Sequence, residues 1–181
     1  MCKEKSKEVI PAKFKKIITN DGKEHWILIF SLSDFITDKR PAGYEKKISQ
    51  ELDKLLIQIK KILPHKKPSK VKRTDLWEIG DMILKKRNEI AENYGIYITN
   101  IVEAVAIKLG IAPRTVNFFV QFRRTIPKNK VDENIPWKVY QTALLLKDKS
   151  KFDECINLYK KRILKTTSDV LKYVQKLNKQ L

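Results

Sequence analysis

The residues from Val102 to Gln121, VEAVAIKLGIAPRTVNFFVQ, put chemically useful side chains at the offsets required by two helices that cross over a tight turn. A small residue is needed where the first helix meets the second, and Ala106 stands there. The turn needs a residue that tolerates a positive φ, and Gly110 stands there. Val105, Leu109, Ile111, Val116 and Phe119 occupy the offsets that must face a core, and Pro113 suits the first turn of the second helix, where its missing N–H costs nothing. Arg114, Asn117, Phe118 and Gln121 then point away from the stripe made by Val116, Phe119 and Val120. These are groups that read DNA. Arg114 can fork onto guanine O6 and N7 or clamp a phosphate, and Asn117 and Gln121 can pair bidentately with adenine. Thr115 can donate to a phosphate. Phe118 either packs on a neighbouring helix, the favoured reading, or touches a thymine methyl. Arg123 and Arg124 are expected on phosphates or on acidic neighbours.

Enzyme chemistry finds no comparable support. The two histidines, His25 and His65, fall in a strand-like run and a basic linker, without the converging ligands a metal site needs. Neither a P-loop nor a GxGxxG motif occurs. Glu51 with Asp53, and Asp153 with Glu154, sit off the apolar stripes of their helices and read as solvated charges. Cys2 and Cys155 have no paired spacing, so neither a disulfide nor a zinc site is indicated. The expectation is a non-enzyme without metal or cofactor.

The chain that carries these residues is strongly basic. Its 181 residues include 39 Lys and Arg against 21 Asp and Glu, a formal charge of +18. An excess of this size attracts a polyanion and gains affinity through release of its counterions. Hydrophobic residues make up 42%, enough for a buried core. No signal-peptide core follows Met1 and no apolar run is long enough for a membrane span, so the expected setting is cytoplasmic and nucleoid-associated.

The expected fold class is mainly α: an N-terminal β-hairpin followed by a helical bundle containing a helix-turn-helix. Residues 1–40 form the hairpin segment, with Asn20-Asp21-Gly22 as the turn between β-prone runs. Residues 43–63 form a long amphipathic helix, with Ile48, Leu52, Leu55, Leu56, Ile59 and Ile62 on one stripe. Residues 64–73, PHKKPSKVKR, read as an extended basic linker. Its Lys66, Lys67, Lys70, Lys72 and Arg73 either track phosphates as a flexible arm or stay solvated. Residues 74–181 form the helix-turn-helix domain. Its first helix is capped by Thr74, buries Leu76, Ile79, Ile83 and Ile90, and closes at Gly95. Further helices are expected from Pro136 through Leu146, over 151–164, and over 168–177 with Thr167 or Ser168 as cap. Lys160, Lys161, Arg162 and Lys165 read as a solvated helix face.

LWEIG (76–80), Tyr94-Gly95, LGIAPRTVNFFVQF (109–122), Pro127 and IPWKVYQTALLL (135–146) together resemble a bacterial family. It is the N-terminal helix-turn-helix domain that precedes a PD-(D/E)xK nuclease domain. Arg114, Phe118, Gln121 and Phe122 stand close to the second half of that family's signature, and Pro136-Trp137 with Tyr140 close to its last part. The family's serine before the tryptophan is Pro136 here, and its histidine before the tyrosine is Val139. The resemblance spans about residues 76–175. It implies an all-helical DNA-binding module with Trp77, Trp137 and Tyr140 packed in the core. It does not carry nuclease activity over, because the match ends before that domain would begin.

The expected partner is double-stranded DNA, bound by a transcriptional regulator or a nucleoid-organising protein, with no membrane involved. A homodimer through the hairpin and the first long helix, where Ile57 adds an apolar group, is expected. The alternatives are an RNA-binding protein, or an accessory, antitoxin-like subunit of a separate nuclease.

Overall fold

Apolar residues recur at three- and four-residue spacing through most of the chain, and the protein is mainly helical. In the computed structural model, residues 10–18, 24–30, 41–64 and 67–180 are described, with side-chain burial for Lys13, Lys15 and from Lys46 onward. Seven α-helices lie among the described residues: α1 Pro41–Ile62, α2 Arg73–Tyr94, α3 Ile101–Leu109, α4 Pro113–Thr125, α5 Trp137–Ala143, α6 Phe152–Lys160 and α7 Thr167–Asn178. They fall into two compact units that do not follow chain order. One comprises Met1–Lys61 with Met82–Pro113, the other Ile62–Asp81 with Arg114–Leu181.

The first unit holds a three-stranded sheet ordered β2-β1-β3. Strand β1 (Ile10–Ile18) pairs antiparallel with β2 (Glu24–Phe30), from Ala12 opposite Phe30 to Ile18 opposite Glu24. The turn predicted at Asn20-Asp21-Gly22 lies outside the described residues. Strand β3 (Ile96–Ile98) pairs parallel with β1, Ile10 opposite Ile96, and was not expected. Its Ile96 and Ile98 are buried and Tyr97 exposed, the alternation of a half-covered sheet. Along α1, Ile48, Leu52, Leu55, Leu56 and Ile59 are buried as the spacing predicts, each stabilising by about 1.5–3 kcal/mol. Ile57 stays 58% exposed. Glu51 accepts from Lys54 at 2.7 Å and Lys86 at 2.8 Å, and Lys108 reaches Asp53 at 2.6 Å. Hydrogen bonds from Lys54 and then Lys86 hold the Glu51 carboxyl down at about 2.

In the second unit an aromatic cluster forms the core. Phe122 meets Trp137 at 5.2 Å and Tyr140 at 4.8 Å, both edge to face, and Tyr140 stacks on Phe152 at 6.5 Å. The Tyr140 hydroxyl accepts the Asp132 N–H at 3.0 Å, which answers the polar end of a buried ring. Helix α2 starts at Arg73, one residue before the predicted cap. Glu133 closes its open end: its carboxylate accepts the N–H groups of Arg73 and Thr74 at 2.6 and 2.8 Å and the Thr74 hydroxyl at 2.8 Å. Burial pushes the Glu133 carboxyl up, but these donations outweigh it and hold it below its ordinary value.

Helix ends differ from expectation for local reasons. Helix α5 stops at Ala143 because Asn178 takes over the backbone beyond it, accepting the Lys147 N–H at 2.9 Å and donating to the Leu145 carbonyl at 3.0 Å. Helix α7 is capped by Thr166 rather than Thr167 or Ser168. Asp169, three residues on, completes a reciprocal capping box with Thr166. Helix α6 stops at Lys160, ahead of a left-handed Arg162.

Candidate nucleic-acid interface

Helix α3 ends where a residue must turn left-handed. Gly110 does so at φ 66, its N–H donating to the Ile107 carbonyl at 2.9 Å, while the Ile111 N–H reaches back to Ala106 at 3.0 Å. After Gly110, Ile111 and Ala112 the chain re-enters a helix at Pro113, which opens α4 as predicted. Ala106, Val105 and Leu109 are buried and Ile111 is half-buried.

Helix α4 has one buried stripe, Val116, Phe119, Val120 and Phe122. Phe119 lies 5.8 Å from Trp137. The helix also meets α2 without a side-chain layer at Gly80. A Cβ on Gly80 would stand 2.7 Å from the Phe119 carbonyl carbon and overlap its oxygen. The backbone of α4 is thereby seated directly on α2, and the orientation of its outer face follows.

On that outer face Arg114, Asn117 and Arg124 are exposed, and Thr115, Phe118 and Gln121 half-buried. The Arg114 guanidinium lies 5.7 Å from the centre of the Phe118 ring, so Phe118 carries an arginine rather than standing alone. The first turn of α4 contains no acid. The positive end of the helix dipole and Arg114 therefore add together at one place, an arrangement that favours phosphate.

The other sequence-predicted residues divide into engaged and unengaged. Arg123 donates to Asp81 at 2.8 Å, and its guanidinium lies 5.3 Å from the Trp77 ring centre. This is the acidic neighbour allowed for in the sequence. Trp77, half-buried, donates to the Ile126 carbonyl at 2.7 Å. Arg73 donates through Nε to Ile135 at 3.3 Å and through Nη1 to Val71 at 2.6 Å, and so braces the start of α2. Lys67, Lys70 and Lys72 are exposed around a single 3-10 turn at Pro68–Lys70, so the linker is not extended throughout. Lys66 lies outside the described residues.

Sequence reasoning missed Asp81 and Glu133, whose partners lie far away along the chain. No local pattern marks either. Among the described residues no three His, Cys, Asp or Glu side chains converge as metal ligands. Cys155 is buried, and burial pushes its thiol up to about 11, away from nucleophilic use. Among the described residues no helix is long and apolar enough to cross a membrane. The chain matches no family model, no curated protein and no solved structure.

Proposed function

We propose that this chain binds duplex DNA by laying the outer face of α4 in the major groove, with its basic flanks on phosphates. The observation that carries the reading is the N-terminal part of α4: an exposed Arg114 and Asn117, no acid, and a positive helix end. Lys67, Lys70, Lys72 and Arg124, exposed and basic, are the phosphate contacts that would fix register without reading sequence. Arg123 and Arg73 act behind that surface as braces.

The finer fold reading goes with this function: an N-terminal hairpin ahead of a helical bundle in which α3, Gly110 and α4 form the helix-turn-helix. The resemblance to the domain that precedes PD-(D/E)xK nucleases supports it through Arg114, Phe118, Gln121 and Phe122. The role is that of a regulator or a nucleoid-organising protein, paired through α1 and the N-terminal strands, where Ile57 offers an exposed apolar group. Sedimentation of the full chain at micromolar concentration tests the pairing, and a monomer would refute it.

The deciding experiment is a salt titration of binding to several unrelated duplexes and to a structured RNA. Log affinity should fall linearly with log salt for every duplex, with a tighter intercept where bases are read. Absence of salt-dependent affinity for any duplex overturns the proposal. Preference for the RNA would replace it.

A further inference from the structure

Among the described residues three positions are left-handed: Gly95 at φ 68, Gly110 at φ 66 and Arg162 at φ 58. A Cβ crowds the backbone in that region, so glycine is the low-cost occupant. The backbone device is the same after α3 and after α6. The Ile163 N–H reaches Leu158 at 3.0 Å and the Arg162 N–H reaches Tyr159 at 2.9 Å, matching the Ile111 and Gly110 bonds described above. Glycine would close α6 equally well, yet an arginine stands there.

Packing does not account for it. Ile163, the residue that usually makes an apolar contact in this motif, is 62% exposed. The side chain of Arg162 is itself exposed, with neither ion pair nor hydrogen bond among the described residues, and the same is true of Lys161 and Lys165. The negative end of the α6 dipole explains cations at Lys160 and Lys161, but it sets no requirement for a left-handed one.

What Arg162 does border is a concavity of about 930 Å3, lined also by Asp132, Asn134, Tyr159, Lys160 and Lys165. Lys160 is bonded to Asp132 at 2.9 Å and neutralises the one acid of the lining. Arg162 and Lys165 remain uncompensated at its rim. An enclosed anion site needs buried donors. Exposed cations around an open hollow suit instead a polyanion that surrenders counterions as it docks.

We propose that this hollow is a second docking site, gripping the phosphate backbone of duplex DNA with Arg162 as its anchor. The proposal rests on the reading that the chain binds duplex DNA, but it is independent of α4. Arg162 lines this hollow from a left-handed backbone, a stability cost retained for binding.

The test uses the full chain and three variants. Arg162→Gly removes the strain and the charge together. Its melting temperature should rise while its DNA affinity falls, with the slope of log affinity against log salt flattened by about 0.9. Lys176→Gln removes one exposed charge from α7 and should leave affinity near wild type. Arg114→Ala/Asn117→Ala reports the α4 face separately. An Arg162→Gly protein with unchanged affinity and slope overturns the second site and leaves the α4 reading standing. An equal loss in Lys176→Gln reduces the effect to net charge and also overturns it. Loss in Arg162→Gly with none in the α4 double variant upholds this site and rejects α4. A mononucleotide that saturates the hollow at micromolar concentration without competing with duplex would make it a small-molecule pocket, and the proposal would fall.

Discussion

Arg114 and Arg123 lie on the same helix and have opposite circumstances. Arg123 is committed twice within the fold, to Asp81 at 2.8 Å and to the Trp77 ring. Arg114, at the other end, is exposed and, among the described residues, rests on Phe118 alone. The difference shows that a formal charge of +18 overstates what is available to a partner. Some cations hold the protein together, and the rest define its surface. Only the second kind exchanges counterions with a polyanion.

The strongest way to break this distinction is to move the helix that carries both arginines. Gly80→Ala forces a Cβ into the Phe119 carbonyl, and either α4 shifts or the unit loosens. A loss of about 3 kcal/mol in chemical denaturation is expected, with DNA affinity falling in parallel. Unchanged stability would mean that the helices separate at no cost and that α4 is not seated on α2. Next, Arg114→Ala and Asn117→Ala should each weaken binding to a preferred duplex by roughly 1–3 kcal/mol while melting stays at the wild-type temperature. Equal losses on every sequence would turn both into phosphate contacts.

Arg123→Ala should do the reverse. It removes the Arg123 ion pair from Asp81 and uncovers Trp77, at about 1 kcal/mol of stability, discounted because the Arg123 side chain is 40% exposed to solvent. Its salt slope should match wild type. A flattened slope with intact stability would place Arg123 on DNA instead. The smallest effect belongs to another engaged cation, Lys86. The Glu51 carboxyl is held at about 2 by Lys54 and Lys86, against an ordinary value of 4.5. Its contribution is complete above 4.5 and disappears as pH falls from there toward 2. Lys86→Gln should shrink the fall in melting temperature across that window. An identical pH profile would show that Glu51 needs no such partner.

Features governed by neighbouring residues were legible in the chain. The α1 stripe, Gly95 and Gly110 as left-handed stops, and Pro113 as a helix start depend only on spacing and on what one residue's backbone tolerates. The polar edge of α4 followed from helical geometry. What escaped notice depends on distant pairing. Glu133 serves α2 from 60 residues away, and Asp81 serves Arg123 from 42. Strand β3 is three residues long, too short for a periodic signal, and pairs with a strand far upstream. Arg162 was hidden by the rule that worked elsewhere, since a left-handed stop is sought at glycine.

The bare contact at Gly80 has a mechanical corollary. Most packed helices keep a cushion of side chains that can repack and let one axis tilt against another. Here the peptide of Phe119 bears directly on α2, so α4 has little room to pivot against it. On the proposed reading, misfit between protein and duplex would be taken up by the DNA, which would have to widen, twist or bend. Sequences with soft pyrimidine–purine steps beside the contacted bases would be favoured even where no side chain touches them.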